Sequence, residues 1–197
     1  MKFCILALAL LLPTANGILA ANPQQAALTI IEQSGIKGGF IVHLGCGDGK
    51  LTAALRINDS YQVQGIDRDI GNVSSARKHI HALDVYGEVS ADHLSNKFLP
   101  YSDNMVNLLV CEDPNTLGIP ANEIQRVLVP NGVAYIRDGD NKWTKTQKPR
   151  PDNIDEWTHF LHSATGNAVA KDDVVGPPRH LQWIGNPLWS RHHDRMA

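Results

Sequence analysis

The sequence has no long apolar run, no surplus of one charge and little cysteine, and each shortage excludes something. Its longest apolar stretch, Phe3 to Leu12, falls far short of the roughly 20 residues that a membrane-spanning helix needs. Lys and Arg number 18 against 20 Asp and Glu, for a formal net charge of -2. The basic residues form no stripe, so no nucleic-acid surface is expected. Three cysteines, Cys4, Cys46 and Cys111, are too few for a disulfide framework, and their spacing fits no zinc pattern.

What is present begins with a processing signal. Lys2 precedes the apolar run, and small residues follow in "TANG" and "ILAA". This matches a secretory signal peptide over residues 1–20, with cleavage after Gly17 or Ala20. The competing reading is a buried N-terminal element. The expectation is export to the periplasm or the extracellular space, or a cytoplasmic chain if the signal is unused. No transmembrane segment is expected in the mature chain.

From residue 22 to 138 the chain alternates two patterns. "QAALTIIEQSGI" predicts a short amphipathic helix closed by glycine, and "GGFIVHLG" a buried strand. "DGKLTAALRIN", "IGNVSSARKHIHALD" and "PANEIQRVLVP" predict helices. "YQVQGID", "VYGEVSAD", "MVNLLVCED" and "GVAYIRD" predict strands. In the second of these helices, Val73, Ala76 and Ile80 are spaced for one buried face. Apolar strands alternating with amphipathic helices imply an α/β fold, a doubly wound and mostly parallel sheet covered on both faces. Residues 139–153 are polar, carry two prolines and read as a linker. Residues 154–197 hold three of the four tryptophans but too few periodic apolar residues for a core of their own.

The chemistry concentrates at strand ends. Gly45, Gly47 and Gly49 lie between a strand and a helix, where glycine permits positive φ and close ligand approach. A dinucleotide loop would read G-x-G-x-x-G, but Lys50 occupies the third glycine position, which disfavours a nicotinamide-dependent oxidoreductase. The plain alternative is a tight strand-to-helix turn. Asp67 ends the second strand, where a carboxylate can accept both hydroxyl protons of a ribose. An acidic strand end or helix cap at Asp67 or Asp69 is the competing reading. Asp92 ends the third strand, placed to accept from an adenine amine or simply to face solvent.

These residues and their surroundings resemble the class I S-adenosylmethionine-dependent methyltransferases over residues 40–137. "VHLGCGDG" is similar to the family's glycine motif and "GID" to its ribose-binding motif. "LPYSDNMVNLLV" and "EIQRVLVPNGVAYI" are similar to the segments before strands four and five. The resemblance implies a Rossmann-like methyltransferase fold and S-adenosylmethionine as cofactor. It places Gly45, Cys46, Gly47, Asp48 and Gly49 at the methionine part and Asp67 with Arg68 at the ribose. Asp92 and His93 fall at the adenine, and Glu112 beyond strand four. Glu112 and Asp113 are candidates for orienting an acceptor nucleophile, or are solvated carboxylates; no catalytic base is evident. The implied partner is a small-molecule acceptor, unidentified.

Three departures stand out. The family's acidic residue two places before the first glycine is His43, which as neutral imidazole can still accept a hydrogen bond. The usual "FD" pair is Val106-Asn107. The final antiparallel hairpin after strand five is not recognisable. Cys46 and Cys111 would end neighbouring strands, where an oxidising compartment could pair them or leave two thiols. The tail segments "DEWTHFLHSATGNAVAKD" and "LQWIGNPLWSRHH" resemble the entry of exported bacterial quinoprotein-like β-propellers. His159, His162, His192, His193 and Asp194 form no full ligand set, and no metal is expected. The function expected is methyl transfer, against a non-catalytic binding or scaffold module attached to a propeller.

Overall fold

The computed structural model describes residues 22–113, 117–137 and 142–174. The expected signal peptide and the stretch carrying "LQW" and His192–Asp194 lie outside them. Among the described residues, four helices and six strands form the domain: α1 Pro23–Ser34, β1 Gly39–Leu44, α2 Lys50–Ala54, β2 Tyr61–Asp67 and α3 Ile70–Ala82. They continue as β3 Val89–His93, β4 Val106–Cys111, α4 Ala121–Val127, β5 Leu128–Arg137 and β6 Trp143–Gln147. The strand order is β3-β2-β1-β4-β5-β6. The first five strands run parallel and β6 pairs antiparallel with β5. The order reverses between β1 and β4, and in such sheets ligands sit outside the carboxyl ends at that reversal.

Alternation along each strand divides the core. Ile41 of β1, Val63 of β2 and Leu108 and Val110 of β4 pack on one face, against Ala27, Ile30 and Ile31 of α1 and Val73, Ala76 and Ile80 of α3. Val42, Leu44, Ile66, Leu109 and Cys111 pack on the other, against Ile124 and Val127 of α4. The stripe expected on α3 is the one it buries. Capping follows the sequence: Asn22 accepts from Gln24 N and Gln25 N at the start of α1, and Asp69 from Gly71 N and Asn72 N at the start of α3.

The segment expected to be a linker contains β6. Its outward residues are exposed and polar, but Trp143 stacks on Tyr135 with ring centroids 4.8 Å apart. Lys148 then donates from Nζ to Asn104 Oδ1, Gln125 O and Leu128 O, each at 2.7 Å. One antiparallel strand therefore covers the β5 edge where no hairpin was recognisable. Beyond it, residues 149–174 form no helix or strand. They are gathered around Asp155, which accepts from His162 Nε2 at 2.6 Å and Lys171 N at 2.7 Å.

The pair Glu123 and Arg126 of α4 has a structural task. Glu123 is buried, accepts from Leu99 N at 2.7 Å and pairs with Arg126 at 2.6 Å. Arg126 also reaches Asp103 at 2.7 Å and the carbonyls of Leu99 and Tyr101. The guanidinium thus ties the irregular chain before β4 to the helix behind it. It holds the Glu123 carboxyl below its ordinary range, so the pair stays ionised.

Gly49 permits close packing of the glycine loop on α3. Its φ is +80°, and a Cβ there would stand 2.7 Å from Ala76 Cα. Gly49→Ala is expected to destabilise the fold by about 2 kcal/mol or more, from left-handed strain plus overpacking. A urea midpoint unchanged from wild type would refute that packing role.

Candidate cofactor site at the carboxyl edge of the sheet

The glycine loop joins β1 to α2, and its three glycines have different tasks. Gly45 and Gly47 adopt φ of +78° and +52°. Beside Gly47 a Cβ would meet nothing within 4 Å, and beside Gly45 only Leu117 Cδ1 at 3.9 Å. These two leave an open backbone surface that a ligand can approach. Gly49, expected to face the methionine part as well, is buried and packs on Ala76. Asp48 is exposed. It accepts from Lys50 N at 3.1 Å and pairs with Lys50 Nζ at 2.7 Å, which lowers its carboxyl from the ordinary value.

Asp67 is the meeting point. Its Oδ2 accepts from Gly47 N at 3.1 Å and Asn72 Nδ2 at 3.1 Å, and its Oδ1 from Asp69 N at 2.9 Å. A carboxylate has about four acceptor positions, so one is left on Oδ1. Acceptance from two ribose hydroxyls therefore requires one of these three donors to release the carboxylate. Asn72 was not anticipated. The available signal was its place three residues after the helix cap Asp69, which turns its side chain toward the strand end.

His43 lies beneath this loop, fully buried on the α1–α3 face of the sheet. Its Nδ1 pairs with Thr52 Oγ1 at 2.8 Å, and its Nε2 has no partner. Burial lowers its pKa to about 4, against a smaller upward pull from Asp67, so the ring is neutral near neutral pH. Gly65, its neighbour across β2, makes the room: a Cβ there would stand 2.6 Å from Cys46 Cβ and 3.0 Å from Thr52 Cγ2. The thiols of Cys46 and Cys111 are free and lie on opposite faces of the sheet, which removes the pairing considered above. Burial pushes Cys46 up to about 12 and Cys111 to about 11, so neither is a thiolate nucleophile.

The outer residues close the rim. Arg68 reaches the backbone carbonyls of Leu117 and Asn96. Asp92 is exposed and pairs with Arg77 of α3 at 3.0 Å, and His93 Nε2 meets Arg68 O at 3.0 Å. Glu112 lies past β4, where its carbonyl accepts from Arg137 Nε at 3.0 Å and its carboxylate lies 3.8 Å from the same guanidinium. Asn107, in place of the usual aspartate, accepts from Phe40 N at 2.9 Å and so locks β4 to β1 rather than joining the site. Among the described residues no three His, Cys, Asp or Glu side chains converge as metal ligands. His162 is committed to Asp155, and His159 Nδ1 to Thr158 Oγ1 at 2.8 Å.

The buried imidazole makes stability depend on pH. The unfolded chain binds a proton at His43 near pH 6.5, whereas the folded chain does so only near pH 4. The stability gained from burying a neutral ring is full above pH 6.5 and is lost as pH falls toward 4. That loss amounts to about 3 kcal/mol. His43→Gln should flatten this dependence in urea titrations at pH 7 and pH 5; parallel profiles for variant and wild type would refute it.

Comparison with known proteins follows this geometry. Residues 41–132 match the sequence profile of a family described as a methyltransferase domain. No match is found among curated protein sequences. Among solved structures, the chain is similar to a protein from Methanococcus maripaludis described as a putative S-adenosyl-L-methionine-dependent methyltransferase. The TM-score is 0.52 at 23% identity, covering 61% of this chain and 59% of that one. It is similar to a SAM-dependent methyltransferase from Aquifex aeolicus, with a TM-score of 0.51 at 20% identity, over 56% of this chain and 62% of that one. It is also similar to the [4+2]-cyclase SpnF, with a TM-score of 0.51 at 22% identity, over 57% of this chain and 43% of that one. The chain thus spans less than two thirds of each. At such identities the likeness is one of fold, and the cyclase's name shows that the fold alone does not fix a reaction. The fold is that of the S-adenosylmethionine-dependent methyltransferases, and the methyltransferase-domain profile matches this chain over residues 41–132.

Proposed function

We propose that the domain holds S-adenosylmethionine at the carboxyl ends of β1, β2 and β3 and directs its methyl group to a small acceptor. The protein is exported by its N-terminal signal, and its C-terminal segment opens a quinoprotein-like β-propeller. One observation carries the site: the open-backed turn at Gly45 and Gly47 is bonded directly to Asp67. When bound, the cofactor supplies an electrophilic methyl group.

The chain's own residues bind and orient. Gly45 and Gly47 admit a ligand against bare backbone. Asp67 offers its remaining Oδ1 acceptor position to a ribose hydroxyl, and Asp92 and His93 border the adenine end. Glu112, anchored by Arg137, faces the acceptor side with Asp113. Methyl transfer needs in-line placement above all, so the lack of a dedicated base does not disqualify the site.

A second reading is supported by His43. A buried neutral imidazole stands where the family usually carries an acid, so no charge there can meet a methionine ammonium. That favours a domain kept as a binding or scaffold module. Calorimetry on the full chain with S-adenosylmethionine and S-adenosylhomocysteine separates the two. Heat of binding is expected, and none at millimolar ligand would leave only the scaffold reading. Asp67→Ala should weaken binding by about 1–3 kcal/mol, with melting followed alongside because Asp67 also supports the loop. Fusion of residues 1–22 to an export reporter should direct it out of the cytoplasm, and full cytoplasmic retention would overturn the exported assignment.

A further inference from the structure

Arg68 follows Asp67 at the end of β2. Its Nε donates to Leu117 O at 2.9 Å and its Nη2 to Asn96 O at 2.9 Å. Asn96 belongs to the chain leaving β3, and Leu117 to the chain between β4 and α4. The Arg68 carbonyl can only accept, so His93 donates to it from Nε2 at 3.0 Å. Leu117 is buried, and its Cδ1 would lie 3.9 Å from a Cβ on Gly45. The Arg68 side chain thereby joins the end of β2 to the segments that follow β3 and β4, and Leu117 sits beside the glycine loop that follows β1.

Both acceptors are backbone carbonyls in the connections that follow β3 and β4, and Asn96 lies in irregular, exposed chain whose carbonyl water would otherwise solvate. Connecting segments of this kind are the mobile parts of a fold, and ordering them on binding costs affinity. A guanidinium is a rigid planar fork, so donating from two of its nitrogens fixes the separation of the two carbonyls as well as their attachment. An ammonium has no such plane.

We propose that Arg68 is a positioning residue, holding the β3-side and β4-side walls of the cofactor mouth at a set separation before ligand arrives. This rests on the cofactor site proposed above. The ribose and adenine then meet walls already ordered, and the bound state is held by slow dissociation.

The test uses the full chain with Arg68→Met, which keeps the apolar stem, and Arg68→Lys, which keeps the charge. Hydrogen exchange without ligand reads segments 93–99 and 117–119, and calorimetry with stopped-flow reads S-adenosylmethionine binding. Arg68→Met is expected to speed exchange in both segments by about tenfold, and to weaken binding by about tenfold through faster dissociation. The melting temperature should stay near wild type, with Arg68→Lys intermediate. Unchanged exchange overturns the strap. Faster exchange with unchanged affinity overturns its role in positioning, and tighter binding would make Arg68 a barrier instead. A wild-type chain that takes up no S-adenosylmethionine overturns the cofactor reading, and the strap is then judged on exchange alone.

Discussion

Three N–H groups converge on the Asp67 carboxylate, and the edge of the sheet is organised by that convergence. Gly47 brings the glycine loop, Asp69 the turn out of β2, and Asn72 the first turn of α3. These donors come from segments that share no secondary structure, so no helix or sheet ladder fixes their spacing. A carboxylate supplies the acceptors for all of them, and hydrogen bonds to a charged group are stronger than neutral ones. Without it, the Gly47 amide would face the cleft unpaired, and Asn72 would lose its tie to the end of β2.

Small residues make the convergence sterically possible. Gly49 lets the loop lie on Ala76 of α3, and Gly65 lets Cys46 and Thr52 sit over β2. Thr52 in turn partners the buried His43. The chain from His43 to Asp67 is therefore one packed unit, with a fully buried polar residue at its base and an open backbone at Gly47 at its rim. Its one sulfur, that of Cys46, is protonated, which leaves Asp67 as the reactive-looking group only in the sense of an acceptor.

The parallel strands were legible because burial on both faces demands apolar runs, and "IVHL" and "NLLVC" carry them. β6 was not, since "WTKTQ" at a sheet edge needs only one inward aromatic, and its remaining residues read as loop. The bulge in β5 follows from "PNG", where Asn131 takes a φ of +66° and pairing with β4 shifts register. At the site, Asp67 and the glycines were visible because their spacing is local to one β-α-β unit. Apart from the Glu123–Arg126 pair within α4, the partners of Arg68, Arg77 and Arg126 lie 14 or more residues away along the chain, and periodicity carries no information about them. The contact of Gly49 with Ala76, 27 residues on, was hidden for the same reason.

His43 shows where fold and chemistry separate. An acid at that position would have to be solvated or paired, and here the site is fully buried and its hydrogen-bond partner is one hydroxyl, that of Thr52. A neutral ring satisfies that environment better than a carboxylate would, at the cost of one unpaired nitrogen. The negative charge that remains nearby is that of Asp67, already shared among three donors. Recognition at this edge therefore has to rest on backbone shape at Gly45 and Gly47 and on a single acceptor position, more than on charge. A ligand held that way must fit closely along its nucleoside part, and that part is bordered by the walls which Arg68 joins.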